Sequence, residues 1–217
     1  MLEFVTFTLG PVMTNVYLVA DAHARTAVVI DPADNGDVIV AAAEKRGWRI
    51  SSIWITHAHF DHLAGAAGVV NRLKPPPMIA LHPEDYPLWQ AQGGAPLFGM
   101  RIEPLPEPNI PLADGQMLDL GEYQFEVRYA PGHTRGHVVF YCAAASVAFC
   151  GDVIFRGGIG RTDLPGGDYD TLMQSIFTKI LTLPDETRLL SGHGPETTVG
   201  LERRINPFIT SWQAGDW

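Results

Sequence analysis

Short runs of β-branched and aromatic residues alternate along this chain with stretches of helical apolar spacing. Residues 4–9 predict a first strand, turned by Gly10-Pro11. Residues 15–20 and 26–30 predict two more, joined by a loop at 21–24 in which His23 is a turn residue, and Asp31-Pro32 closes the third. Over residues 37–46 the residues Val38, Ile39, Ala42 and Ala43 share a helical face, and Gly47 suits the C-cap. A strand over 50–55, a helix over 63–73 stopped by Pro75-Pro76-Pro77, and a strand over 78–81 follow. Periodicity weakens between 83 and 111, where only 84–90 predicts a short helix. Strands resume at 117–120, 124–129, 138–142 and 147–150 as an antiparallel run. A helix over 170–181, a strand over 188–190 and a helical tail over 201–209, interrupted by Pro207, complete the pattern.

Two runs of strands, each accompanied by helices, bury their apolar residues as two sheets with helices outside them. No linker or repeat divides the 217 residues, so one domain over 1–217 is expected. The composition, 46% hydrophobic and 18% charged, provides a core and argues against disorder. Formal charge is −9, and the densest basic spot is the pair Arg203-Arg204, which argues against a nucleic-acid partner. No basic leader opens the chain and no apolar run approaches about 18 residues, so a cytoplasmic protein without a membrane partner is expected. The two cysteines, Cys142 and Cys150, read as buried free thiols. Self-association into a homo-oligomer stays open.

The stretch Thr56-His57-Ala58-His59-Phe60-Asp61-His62 changes the picture, because it places three of the eight histidines and a carboxylate within six residues. Imidazole nitrogen and carboxylate oxygen are ligands for zinc, manganese and iron. On extended chain His57 and His59 point the same way, and Asp61 and His62 could face a second ion. Asp61 could equally cap the helix beginning at Leu63. Three further loops put a ligand type beside glycine just past a predicted strand: Pro131-Gly132-His133-Thr134, Gly151-Asp152 and Gly192-His193-Gly194. Singly each is a weak signal; together the four loops supply five histidines and two aspartates.

His-x-His-x-Asp-His, then Gly-His-Thr, Gly-Asp and Gly-His in this order resembles the metallo-β-lactamase fold superfamily across nearly the whole chain. The resemblance implies an α/β fold, a four-layer αββα sandwich. It implies two divalent metal ions, zinc first with iron or manganese as alternatives. His57, His59 and His133 match one metal site, Asp61, His62 and His193 the other, and Asp152 the bridging carboxylate. Asp61 and a metal-bound hydroxide are then the catalytic groups, with water activated by lowering its pKa from ~15.7 towards ~7. His137 is left over and reads as a supporting residue orienting Asp152 or a ligand. His82 reads as a surface loop residue.

The segment Phe155-Arg156-Gly157-Gly158-Ile159-Gly160-Arg161-Thr162-Asp163-Leu164-Pro165-Gly166-Gly167-Asp168 resembles the glyoxalase II group, most closely its small bacterial hydrolases. It implies hydrolysis of a small-molecule thioester such as S-lactoylglutathione. The chain ends at Trp217, too early for the helical domain with which full-length glyoxalase II binds glutathione, so a different thiol is an open alternative. Arg161 is the candidate for an anionic substrate group, against a structural pairing with Asp163 or Asp168. Tyr86, Trp89, Phe98 and Met100 line a substrate groove or pack beneath the 83–111 loop. One rival is a persulfide dioxygenase holding one iron through His57, His133 and Asp152. A β-lactamase is disfavoured because Asp152 is not that branch's pattern. A metal-binding protein without turnover is the non-enzymatic reading.

Overall fold

The N-terminal strands are longer than their apolar cores suggest, because backbone pairing carries them past the last β-branched residue. The computed structural model describes residues 1–215; Asp216 and Trp217, where the sequence reading ends the chain, lie outside the described residues. Strands β1 (Leu2–Leu9), β2 (Thr14–Asp21) and β3 (Thr26–Ile30) lead into α1 (Gly36–Arg46) and β4 (Arg49–Trp54). Then come α2 (Phe60–Leu63), α3 (Ala66–Arg72), β5 (Met78–Leu81), α4 (Tyr86–Gln90) and β6 (Ile110–Pro111). The second half runs β7 (Met117–Leu120), β8 (Tyr123–Tyr129), β9 (Val138–Cys142), β10 (Val147–Gly151) and a hairpin of β11 (Ile154–Phe155) and β12 (Gly158–Ile159). It closes with α5 (Tyr169–Ser175), β13 (Arg188–Ser191), β14 (Thr197–Thr198), α6 (Val199–Ile205) and α7 (Pro207–Ala214).

Two six-stranded sheets result, ordered β1-β2-β3-β4-β5-β6 and β14-β13-β10-β9-β8-β7. Three apolar clusters fill the three interfaces of a four-layer αββα sandwich, and the period of two along each strand decides which cluster a residue joins. Val16, Leu18, Val29, Ile53 and Ile79 pack outward among residues of α1 and α3. Tyr17, Val19, Val28 and Trp54 face inward onto Phe125, Phe140 and Phe149 of the second sheet. Val139, Ala148 and Leu189 face the other way, towards Leu172, Met173 and Val199. Central strands buried on both faces are why β2 reads as an unbroken apolar run.

Several boundaries differ from the periodicity. The helix expected over 63–73 is two helices, broken at Gly65, whose amide donates to the Pro32 carbonyl at 2.7 Å. A Cβ at Gly65 would sit 2.7 Å from the Asp34 backbone, so only glycine lets this turn dock there. The chain is consequently helical from Phe60, with His59 at the N-cap and Asp61 inside the first turn, rather than Asp61 capping a helix at Leu63. The helix expected to 181 widens after Ser175 into a π-type turn, Ile176–Ile180. Pro207 starts a new helix capped by Asn206 instead of interrupting one. Between 83 and 111 the chain folds into successive helical turns, including Gln92–Phe98, where glycine and proline conceal the pattern. Among the described residues no helix is long and apolar enough to cross a membrane.

At the end of β2 the buried Asp21 carboxylate ties the two sheets together, accepting from the amides of His23, Ala24 and Glu122. The Glu122 amide leads among these in holding the carboxyl below its ordinary value of 3.8, against a desolvation that would raise it. A depressed folded pKa stabilises above the unfolded value and loses that contribution as pH falls through the folded one. Asp21→Asn is therefore expected to lower stability at neutral pH by about 1–3 kcal/mol. The gap to the parent should close as the pH drops below 3.8, measured by denaturant titration across pH.

Candidate metal centre

Strands β4, β8, β10 and β13 all end at one rim of the sandwich, so the loops that follow them meet there. The geometry is set by pairing: β10 runs parallel to β13 and antiparallel to β9, which is antiparallel to β8. Backbone bonds sew the two sheets together at this rim. The Val138 amide donates to the Thr56 carbonyl at 2.8 Å and the Asn15 amide to the Gly192 carbonyl at 2.7 Å. The Asn15 side chain donates to the carbonyls of Ser191 and Gly194, and the Tyr17 hydroxyl also reaches Ser191.

All seven ligand types singled out in the sequence converge on this rim. His57, His59 and His133 place ligand atoms within 4.8 Å of one another, as do Asp61, His62 and His193. Asp152 lies between the groups. Its Oδ2 is 3.6 Å from His133 Nε2 and 3.5 Å from His193 Nε2, and its Oδ1 is 3.4 Å from His62 Nε2. Glycines make the approach feasible, since a Cβ on Gly192 would lie 2.2 Å from Asp152 Oδ1 and 2.6 Å from His62.

The donor set fits cations. His57 Nε2, His62 Nε2 and Asp152 Oδ1 are buried without any hydrogen bond, a costly state unless a cation completes them. His59 Nδ1 and His133 Nε2 stand 2.9 Å apart, two ring nitrogens turned to one point. The outer nitrogens are accounted for. His62 Nδ1 donates to Asp31 Oδ2 at 3.0 Å and His133 Nδ1 to the Arg161 carbonyl at 2.7 Å. His57 Nδ1 donates to Thr56 Oγ1, whose own proton goes to Asp31 Oδ2. Each of these three rings therefore keeps a proton on its outer nitrogen, which leaves the inner nitrogen to face a cation.

Electrostatics agree. Burial, followed by four neighbouring imidazoles, pushes His57 well below the usual histidine range, so it is neutral. Burial also penalises a charge on His62 and His193, but the Asp61 and Asp152 carboxylates outweigh it, raising His193 to about 9 and His62 well above its ordinary value. Asp61 is held at about 2 by His62 and His193 against its own desolvation. The carboxylate side of the centre thus attracts positive charge strongly, and protons supply it where cations do not.

Two supporting carboxylates escaped the sequence reading. Asp31, taken there as a strand end, sits in the left-handed region at φ 51° and accepts from the Thr56 amide, the Thr56 hydroxyl and His62. Its signal was its place: an aspartate closing the strand next to β4. Asp85, inside the weakly periodic 83–111 stretch, accepts from the Ala58 amide, the Thr134 hydroxyl and the Gly136 amide. It locks the first ligand loop to the second. His137 Nε2 accepts from the Asp152 amide at 3.0 Å, and its ring stacks on His57. Arg161 lines the cleft, but its guanidinium is paired twice with Asp163 at 2.7 Å. His82 caps a helical turn and stacks on Tyr129. Both cysteines are free and buried.

The model of the metallo-beta-lactamase superfamily matches residues 9–193. This chain belongs to that superfamily. The hydroxyacylglutathione hydrolase GloC of Haemophilus influenzae is 37% identical over 86% of this chain and 89% of its own length. Among solved structures of the superfamily, the BLEG-1 B3 metallo-beta-lactamase superposes with a TM-score of 0.87 and 36% identity, covering 96% of this chain and all of its own. TTHA1623 in a di-iron-bound form gives 0.85 and 42%, covering 94% and 99%. A superfamily site requires its outer hydrogen bonds as much as its ligands. Asp31→Asn removes the acceptor that orients His62 and is expected to weaken metal binding roughly 10–100-fold in a chelator competition, with the sheet signal in circular dichroism retained.

Proposed function

We propose that this metallo-hydrolase is a thioesterase of the glyoxalase II type, holding one divalent cation at His57, His59 and His133 and a second at Asp61, His62 and His193, with Asp152 shared. The carrying observation is that the cleft above the seven side chains contains no spare acid. Among the described residues lining it, the only titratable groups are five of those seven and Arg161, which is already paired. An amide needs its leaving nitrogen protonated, whereas a thiol of pKa ~8.5 departs as thiolate without that help.

Bound divalent cations would supply Lewis acidity and water acidified to near-neutral pKa. The chain's own residues do the positioning. Asp31 and Thr56 keep the His62 and His57 protons at Nδ1, and the Arg161 carbonyl does the same for His133. The Thr14 hydroxyl donates to Asp61 Oδ2 at 3.0 Å, fixing a carboxylate that would hold the second cation at the cleft floor. The likeness to GloC supports an acyl-thiol substrate, and the likeness to a di-iron protein keeps iron beside zinc as the resident metal. The single-iron dioxygenase reading uses only His57, His133 and Asp152. Asp61 and His62 fit either reading, and the Leu164-Pro165-Gly166-Gly167 continuation after Asp152 favours the hydrolase.

Metal-loaded protein is expected to release thiol from thioesters without consuming oxygen, and to lose this activity to a chelator and regain it with zinc. Asp61→Ala should lower kcat by at least roughly 100-fold. Oxygen uptake with glutathione persulfide, or an Asp61→Ala variant as active as the parent, would sink the proposal.

A further inference from the structure

We infer that the cleft selects thioesters with an apolar acyl chain of modest length, in preference to an acyl group on glutathione; the inference rests on the thioesterase reading. Above the ligand atoms, the walls are almost entirely hydrocarbon. Leu88, Leu97, Phe98 and Met100 of the 83–111 stretch line it together with Leu164, Pro165, Pro11 and Val12. The 83–111 part of the lining is anchored. Gly93 packs so closely on the backbone of Phe60 that a Cβ there would lie 2.4 Å from the Phe60 amide nitrogen, and the Phe98 ring sits 5.6 Å from the Phe60 ring. Part of the lining nevertheless stays open to solvent, with Leu97 67%, Phe98 50% and Val12 47% exposed. Large apolar side chains left uncovered in the lining of a cleft gain from an apolar ligand laid against them.

Charge and size point the same way. Glutathione carries two carboxylates and one ammonium, and a cleft built for it would present free cations. Arg161 is the one lysine or arginine among the described lining residues, and Asp163 takes up two of its three guanidinium nitrogens. The cleft volume, about 310 Å³, is at the low end of ligand pockets, which run from roughly 300 to 1,000 Å³.

The test uses metal-loaded protein and two matched series on one small uncharged thiol: acyl thioesters from acetyl to octanoyl, and the corresponding non-hydrolysable thioethers. S-lactoylglutathione and its thioether run alongside. Both kcat/KM and calorimetric affinity are expected to rise about fourfold per methylene until the cleft is full. Phe98→Ser and Leu97→Ser, at exposed positions where folding is not at stake, should flatten both slopes. Flat slopes, or glutathione compounds ahead of the octanoyl ones, overturn the inference while leaving the thioesterase reading standing. Failure to release thiol from any thioester overturns the thioesterase reading. The thioether affinities, which need no turnover, still judge the cleft alone. A concentration-dependent dimer that blocks thioether binding and dissociates on Phe98→Ser would assign the apolar rim to a second copy and overturn the inference as well.

Discussion

A set of imidazole and carboxylate atoms converges on a point that protein hydrogen bonds alone do not satisfy. His57 Nε2, His62 Nε2 and Asp152 Oδ1 are buried and unpartnered, and other ligand atoms crowd within a few ångströms of them. Burying such groups without partners costs free energy. The surrounding structure therefore has to hold them there. It does so with a rim of cross-sheet backbone bonds, glycines that let loops approach, and outer hydrogen bonds that leave each inward nitrogen no other role.

Two carboxylates carry much of that support. Asp31 holds Thr56 and His62, and through Thr56 it also fixes His57. Asp85 bonds to backbone or hydroxyl groups of both the first and the second ligand loops. Burial raises the Asp85 carboxyl above its ordinary value even though three donors pull it down, so this clamp is held in place against the cost of its own desolvation. The rim is thus a single bonded unit, in which the loops after β4 and β8 cannot move independently.

The cleft above the rim has the opposite character. Apart from the paired Arg161, its polar side chains are those of the clustered ligand set, and leucine, phenylalanine, methionine and proline make up most of the rest of its lining. Separating the two leaves charge at the floor and apolar area above it.

Much of this was legible in the chain. Two sheets with helices outside them follow from two runs of strands with helices between and after them, because the period of two assigns each residue to a face; the four-layer sandwich was what the family resemblance implied. The seven clustered ligand types were visible because metal chemistry needs particular residues at strand ends, and such residues are local signals. Asp31 and Asp85 were not visible as supports: an aspartate after a strand or in a proline-rich loop is ambiguous until the partner it bonds comes into view. The break at Gly65 was hidden for the same reason, since it depends on contact with the Asp34 backbone. Sequence alone determined the layers and the ligand types, through local periodicity and residue chemistry. Only the tertiary structure decided which protons point outward, which carboxylates hold the loops and what lines the cleft, because each depends on contacts between residues far apart in the chain.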